Sequence, residues 1–104
     1  MTFEKKKAFR GIRALYGDEG FEKLQNSHVT VVGIGGIGSW CTEALCRTGV
    51  GSLTLIDSDV IEITNLNRQL HTTVNTEGRT KTEVMREHLL ELNPELNIEI
   101  ITQN

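Results

Sequence analysis

No run of apolar residues in this chain approaches the ~18 needed to cross a bilayer, and its first residues lack the apolar stretch of a signal peptide. The expectation is a soluble, cytoplasmic protein with no membrane partner. A cysteine framework is missing too. The two cysteines, Cys41 and Cys46, fall in a helical pattern about 140° apart around the axis, which makes neither a C-x-x-C pair nor one edge of a metal site. Buried, reduced thiols and no metal centre are expected. The chain also lacks internal repeats, low-complexity tracts and linkers, and its 104 residues suffice for one domain but not for two.

Charge is unevenly spread. Lys5, Lys6, Lys7, Arg10 and Arg13 against Glu4 make residues 1–13 a +4 segment, leaving −7 for the rest of a chain whose formal charge is −3. Such an arm is either a solvated terminus or a contact for RNA or a phosphate.

The most informative stretch is residues 28–38. An apolar run, Val29 to Val32, stops at Gly33, and Gly33, Gly35 and Gly38 then fall in the spacing G-x-G-x-x-G as a helical pattern begins. In a strand–turn–helix of this kind the first glycine takes a conformation closed to other residues. The second lets a phosphate approach the backbone, and the third lets the helix lie close on the strand. The N–H groups and the positive dipole end of the helix then face an anion. The alternative is a glycine turn that only packs a helix on a strand, so the partners of the motif decide.

Ahead of this turn, residues 3–15 mix basic and apolar positions, and Asp18 to Asn26 reads as a short amphipathic helix with Phe21 and Leu24 on one side. After it, Ile37, Cys41, Ala44, Leu45 and Thr48 recur at helical spacing as the face expected to pack on the sheet, and Gly49 and Gly51 stop the helix. Leu53 to Ile56 is a second strand, ending at Asp57. Strand, helix and strand over ~30 residues form the parallel crossover unit, so Asp57 belongs at the carboxyl end of the sheet. Residues 58–78 are polar and aperiodic, a long loop with one helical turn expected at Asn65 to Gln69; loops of this length in compact domains are usually functional. From Arg79 to Leu92, Val84, Met85, His88, Leu89 and Leu92 mark a second amphipathic helix, ended by Asn93-Pro94. His88 reads as a helix-face histidine. Ile98 to Ile101 is a third strand. The expected fold is α/β, a Rossmann-like parallel sheet with flanking helices. Residues 1–27 form a helical arm, and residues 28–104 form the nucleotide-binding half-domain.

Asp57 lies 19 residues after Gly38, where a doubly wound nucleotide fold places the carboxylate that binds ribose hydroxyls. That feature does not separate NAD from ATP. Two cations do. A triphosphate that loses pyrophosphate gathers negative charge on the leaving oxygens, and fixed cations lower that barrier. Arg68, eleven residues after Asp57, and Lys81, at the start of the following helix, are candidates for this task. An NAD-dependent oxidoreductase leaves both without a role, and a non-catalytic nucleotide-binding module remains a further alternative.

Gly33-Ile-Gly-Gly-Ile-Gly38, Leu55-Ile-Asp57-Ser-Asp59, Asn65-Leu-Asn-Arg68-Gln69 and Lys81 together resemble the ATP-binding core of the ThiF/MoeB/HesA group, relatives of the ubiquitin-activating enzymes. Within the group, the continuation Ser39-Trp40, the pair Thr64-Asn65, His71, and the entry Phe9 to Gly17 with Leu15-Tyr16-Gly17 resemble the tRNA threonylcarbamoyladenosine dehydratases. The resemblance implies the N-terminal half of an activating-enzyme fold, with ATP and Mg as cofactors and the adenylation of a substrate carboxylate as the activity. It implies that Gly35 and Gly36 line the nucleotide, that Asp57 holds the ribose, and that Asn65, Arg68 and Lys81 contact the phosphates with help from Gln69. An N-terminal arginine, Arg10 or Arg13, would enter a neighbouring subunit's site in a homodimer. The group's magnesium aspartate, catalytic cysteine and zinc cysteines would lie beyond residue 104, so Cys41 and Cys46 inherit no such role. The implied substrate is a modified tRNA or, in the related activators, a ubiquitin-like sulfur-carrier protein. In the doubly wound order the first strand is central, so the 104 residues are expected to be a fragment of a longer enzyme or to need another chain or copy to cover that strand's free edge.

Overall fold

The three apolar runs become strands of five residues each: β1 (His28–Val32), β2 (Ser52–Ile56) and β3 (Asn97–Ile101). In the computed structural model, which describes residues 2–103, they form one parallel sheet in the order β1-β2-β3. Val29, Leu53 and Ile98 lie side by side, as do Val31, Leu55 and Ile100. This row of branched side chains is one face of the sheet, and it joins Cys46, Met85 and Leu89 in the main core. β2 is the central strand and the most buried, as a parallel strand flanked on both sides should be. The outer edge of β1 is unpaired among the described residues, and Val32 is 76% exposed.

Helices α3 (Gly38–Thr48) and α4 (Lys81–Leu92) provide the two crossovers and pack on each other. The face of α3 differs from the expected one. Ile37 is 87% exposed and Cys41 and Ala44 are exposed, while Ser39, Thr42 and Cys46 are buried. The cause is proximity. A Cβ built on Gly38 would lie 1.8 Å from the Gly33 carbonyl oxygen, so the first turns of α3 rest almost directly on the strand end. Only small side chains fit there, and Ser39 and Thr42 return their hydroxyls to the carbonyls of Gly35 and Gly38. The expectation of two buried thiols therefore holds for Cys46 and fails for Cys41.

The N-terminal segment is more helical than its sequence suggested. A single turn, α1 (Lys5–Ala8), leads into α2 (Arg10–Gln25), which bends at Gly17 (φ 73°, ψ 171°), so the helix expected from Asp18 is the part after the bend. Phe21 is buried, and Leu24 packs against the core. The helical turn in the long loop is a 3₁₀ turn, Ile63–Asn67, two residues earlier than expected. Mutual bonds fix it there: Asn65 N–H donates to the Glu62 carbonyl (2.9 Å) and Glu62 N–H to Asn65 Oδ1 (3.0 Å). His88 is on a helix face, as expected, and pairs with Glu43 of α3. Among the described residues, no helix is long and apolar enough to cross a membrane.

Candidate nucleotide site

At the carboxyl end of the sheet three segments meet: the glycine turn after β1, the acidic turn after β2, and the loop that runs from the 3₁₀ turn into α4. Gly33 opens the first with φ 90°, a left-handed conformation that glycine adopts without penalty. Its neighbour Ile34 donates its N–H to Asp57 Oδ2 at 2.7 Å, and Asp59 N–H donates to Asp57 Oδ1 at 2.7 Å. The Asp57 carboxylate thus ties the two turns together and keeps further lone pairs for other donors. Gly35 lies against Gln69 and Gly36 against Arg68: a Cβ on either would come within 3.8 Å of those side chains.

Two cavities open on this end and share Asp59 as a wall. One, about 240 Å³, is flanked by the apolar side chains of Val32 and Ile56 and by Gly33 and Asp57. The other, about 330 Å³, is polar, with Glu62, Asn65, Arg68, Gln69 and Lys81 around it. An apolar slot beside a carboxylate suits a nucleoside, and a polar chamber holding two cations suits its phosphates.

The polar chamber contains groups that the chain does not satisfy. The Lys81 side chain is only 9% exposed, yet among the described residues its one ionic partner is Asp59 Oδ2 at 3.7 Å, too far for a hydrogen bond. Its stem is packed away, and its ammonium faces the cavity with room for another anion. Gln69 Oε1 is buried with no partner among the described residues. Asn65 spends its Oδ1 on the Glu62 N–H, which leaves its amide nitrogen to the cavity. Arg68 is exposed, and its Nη1 donates to Asn67 Oδ1 (2.9 Å) and to the Thr64 carbonyl (3.3 Å).

The structure therefore brings together Gly33, Gly35, Gly36, Asp57, Asn65, Arg68, Gln69 and Lys81, with Gly38 as the contact that presses α3 onto the strand. It does not bring in Arg10 or Arg13. Arg13 donates to Asp18 across the bend in α2 at 2.9 Å, and neither arginine lines the two cavities. Two features escaped sequence reasoning: Asp59 as the counter-ion of Lys81, and Trp40, whose Nε1–H donates to the Arg68 carbonyl at 3.0 Å. His71, noted in the sequence only as part of a resemblance, is buried and donates Nε2–H to the Ile34 carbonyl at 2.7 Å. Burial lowers its pKa from the ordinary imidazole value, with nearby Lys81 acting in the same direction; the Ile34 bond and Asp57 oppose them.

The family model described as ThiF matches residues 9–104. This chain belongs to the ThiF family. The match takes in both turns, the 3₁₀ segment and α4. Among its relatives, the tRNA threonylcarbamoyladenosine dehydratase of Haemophilus influenzae is 50% identical over 93 residues, covering 89% of this chain and 36% of that protein. A probable molybdopterin-synthase adenylyltransferase of Porphyra purpurea is 40% identical over 82 residues, 79% of this chain and 22% of that protein. The crystal structure of the Escherichia coli tRNA N6-threonylcarbamoyladenosine dehydratase in complex with ATP superposes with a TM-score of 0.93 at 43% identity, over 94% of this chain and 40% of that one. The AMP complex of the same protein superposes equally well. The ThiF-family chain thus spans little more than a third of the length of its curated dehydratase relative.

Proposed function

We propose that this chain is the ATP-binding part of an enzyme that adenylates a carboxylate, most closely a tRNA threonylcarbamoyladenosine dehydratase. The observation that carries the proposal is the polar chamber, where a nearly buried Lys81 and the Gln69 amide await charged and hydrogen-bonding partners beside a glycine turn. In this reading Asp57 accepts the ribose hydroxyls. Gly35 and Gly36 N–H groups meet the phosphates, and Asn65, Arg68, Gln69 and Lys81 surround the triphosphate. A substrate carboxylate oxygen attacks the α-phosphorus, the bond to the β-phosphate oxygen breaks, and pyrophosphate leaves with the electron pair. Arg68 and Lys81 stabilise the charge that grows on it. The acyl-adenylate then loses AMP to a nucleophile. In the dehydratase the carboxylate is that of the threonylcarbamoyl group on a tRNA adenosine, and ring closure completes a net loss of water.

Magnesium would arrive with the triphosphate. Among the described residues no group of three His, Cys, Asp or Glu side chains is placed to hold an ion, and every protein group in the adenylation step is a side chain or backbone N–H of this chain. Cytoplasmic location, and a second chain or copy along the open edge of β1 as in a homodimer, belong to the same proposal. Activation of a ubiquitin-like sulfur-carrier protein is the second reading, supported by the Porphyra adenylyltransferase relative.

Calorimetric titration with ATP and with NAD tests the nucleotide, and ATP is expected to bind more tightly; equal or tighter NAD binding contradicts adenylation. Pyrophosphate exchange into ATP, with modified tRNA or carrier protein added in turn and the remainder of the enzyme present, separates the two substrates.

A further inference from the structure

The glycine turn is held from behind by two buried side chains that the chemistry above does not use. His71 is 3% exposed, and its Nε2–H donates to the Ile34 carbonyl at 2.7 Å. Because that carbonyl can only accept, Nε2 carries the proton, and the Thr72 hydroxyl 3.3 Å from Nδ1 donates to the bare nitrogen. Ser39 is fully buried. Its hydroxyl donates to the Gly35 carbonyl and accepts the N–H of Leu70 at 3.2 Å.

These bonds set the direction of two peptide planes. In a trans peptide the C=O of one residue and the N–H of the next point in opposite directions. With the Ile34 carbonyl turned to His71, the Gly35 N–H faces the other way. With the Gly35 carbonyl turned to Ser39 and to the Ser39 N–H at 3.0 Å, the Gly36 N–H does the same. Neither N–H has an acceptor among the described residues. The same contacts join the turn to the segment carrying Arg68 and Gln69, because Leu70 and His71 close one side of it and Trp40 holds the Arg68 carbonyl on the other.

We infer that His71 and Ser39 are positioning residues that lock the Gly35 and Gly36 peptide planes with both N–H groups turned outward for a phosphate, in register with Arg68. The inference rests on the nucleotide-site reading for its ligand but not for its geometry. Without the His71 bond the Ile34–Gly35 plane loses its partner, and without the Ser39 hydroxyl the Gly35–Gly36 plane keeps only the Ser39 N–H; both glycine peptides are then held more loosely, and the site must order them on binding, which weakens it.

The test uses the 104-residue chain and two variants, His71→Phe, which keeps a planar ring but loses the donor, and Ser39→Ala. His71→Gln, which retains an N–H, is the rescue. Residual dipolar couplings on the unliganded proteins read the orientation of the Gly35 and Gly36 N–H vectors. Titration with tripolyphosphate and with adenosine then reads the two halves of the site separately. The expected result is that both vectors reorient or broaden in His71→Phe and Ser39→Ala while strand amides keep their values. Tripolyphosphate affinity falls roughly tenfold or more, the scale of a lost hydrogen bond to a charged group, adenosine affinity is unchanged, and His71→Gln restores the couplings. Unchanged Gly35 and Gly36 vectors in variants whose other amides show an intact fold overturn the lock. Vectors that move as expected in a protein that binds no tripolyphosphate support the lock and overturn the nucleotide reading instead.

Discussion

The two ends of the sheet are built with the same tight joint and finished differently. At the amino end, a Cβ on Gly51 would lie 1.8 Å from the Gln25 carbonyl oxygen; at the carboxyl end, a Cβ on Gly38 would lie 1.8 Å from that of Gly33. Each glycine lets two segments touch through their backbones. Around Gly51 the polar groups find partners: its N–H donates to Leu24, its carbonyl accepts from Asn97, and Gln25 Nε2–H donates to the Gly49 carbonyl. His28 binds Ser52 and Thr54 across the strands at 2.6 and 2.9 Å. Around Gly38 the Gly35 and Gly36 N–H groups and Gln69 Oε1 are without partners among the described residues, and Lys81 has only the distant Asp59 carboxylate. An unsatisfied buried group such as Gln69 Oε1 is uncommon in folded proteins, and with the open Gly35 and Gly36 N–H groups and Lys81 beside it, this end is the place for a ligand.

Gly38→Ala and Gly51→Ala should have the largest effects, and similar ones: each forces a methyl into a carbonyl and should cost about 3 kcal/mol or more of stability. Denaturant unfolding of the two variants checks this, and tolerance of either substitution would show that its joint is looser than described. The next pair should behave oppositely. Lys81→Met keeps the packed stem and removes a charge whose ionic partner is distant, so stability should hold or rise, while tripolyphosphate affinity falls at least ~tenfold, on the scale of a lost charged hydrogen bond. Gln25→Leu should lose about 1 kcal/mol, the net worth of a typical hydrogen bond, and leave binding alone. Thermal melts with and without the anion separate the two. Binding that suffers equally in both would erase the contrast between the ends.

A smaller effect comes from His71. Its folded-state pKa is lowered by burial, so below the ordinary value of 6.5 the unfolded chain takes up a proton more readily than the folded one. Stability should therefore fall as pH drops below about 6.5. His71→Gln should remove that portion of the pH dependence, and an identical pH–stability curve would contradict it. The mildest contrast is chemical. Cys46, buried and with a thiol pKa raised to about 11 by that burial, should resist alkylation in the folded protein. Exposed Cys41 should react first, and mass spectrometry after a short iodoacetamide pulse distinguishes one adduct from two.

Much of this architecture is written in short-range spacing. The strands, the glycine turn, the position of Asp57 at a strand end and the core face of α4 each follow from residues close together in the chain, where periodicity and turn chemistry act. What spacing could not give is whatever depends on closure of the fold. Helical intervals place Ile37 and Cys41 on the packing face of α3, where only Leu45 of the expected set packs against the core; the closeness of Gly38 to Gly33 turns Ser39, Thr42 and Cys46 inward instead. Trp40 reaches the Arg68 carbonyl across 28 residues of chain and His71 reaches Ile34 across 37; no local pattern encodes either. The pairing of Asp59 with Lys81 depends on the bridge between Val60 and Thr80 that brings the two turns together.

A polyphosphate site at the carboxyl end of the sheet must respond to its ligand there and nowhere else. Amide chemical shifts of the 104-residue chain, followed as ATP is added, test it most directly. Saturable shifts are expected at Gly35, Gly36, Asp57, Arg68 and Lys81, with His28, Ser52 and Asn97 at the opposite end unmoved. Shifts centred instead on the basic residues Lys6, Lys7 and Arg10, or no saturable shifts at the glycine turn, would contradict it.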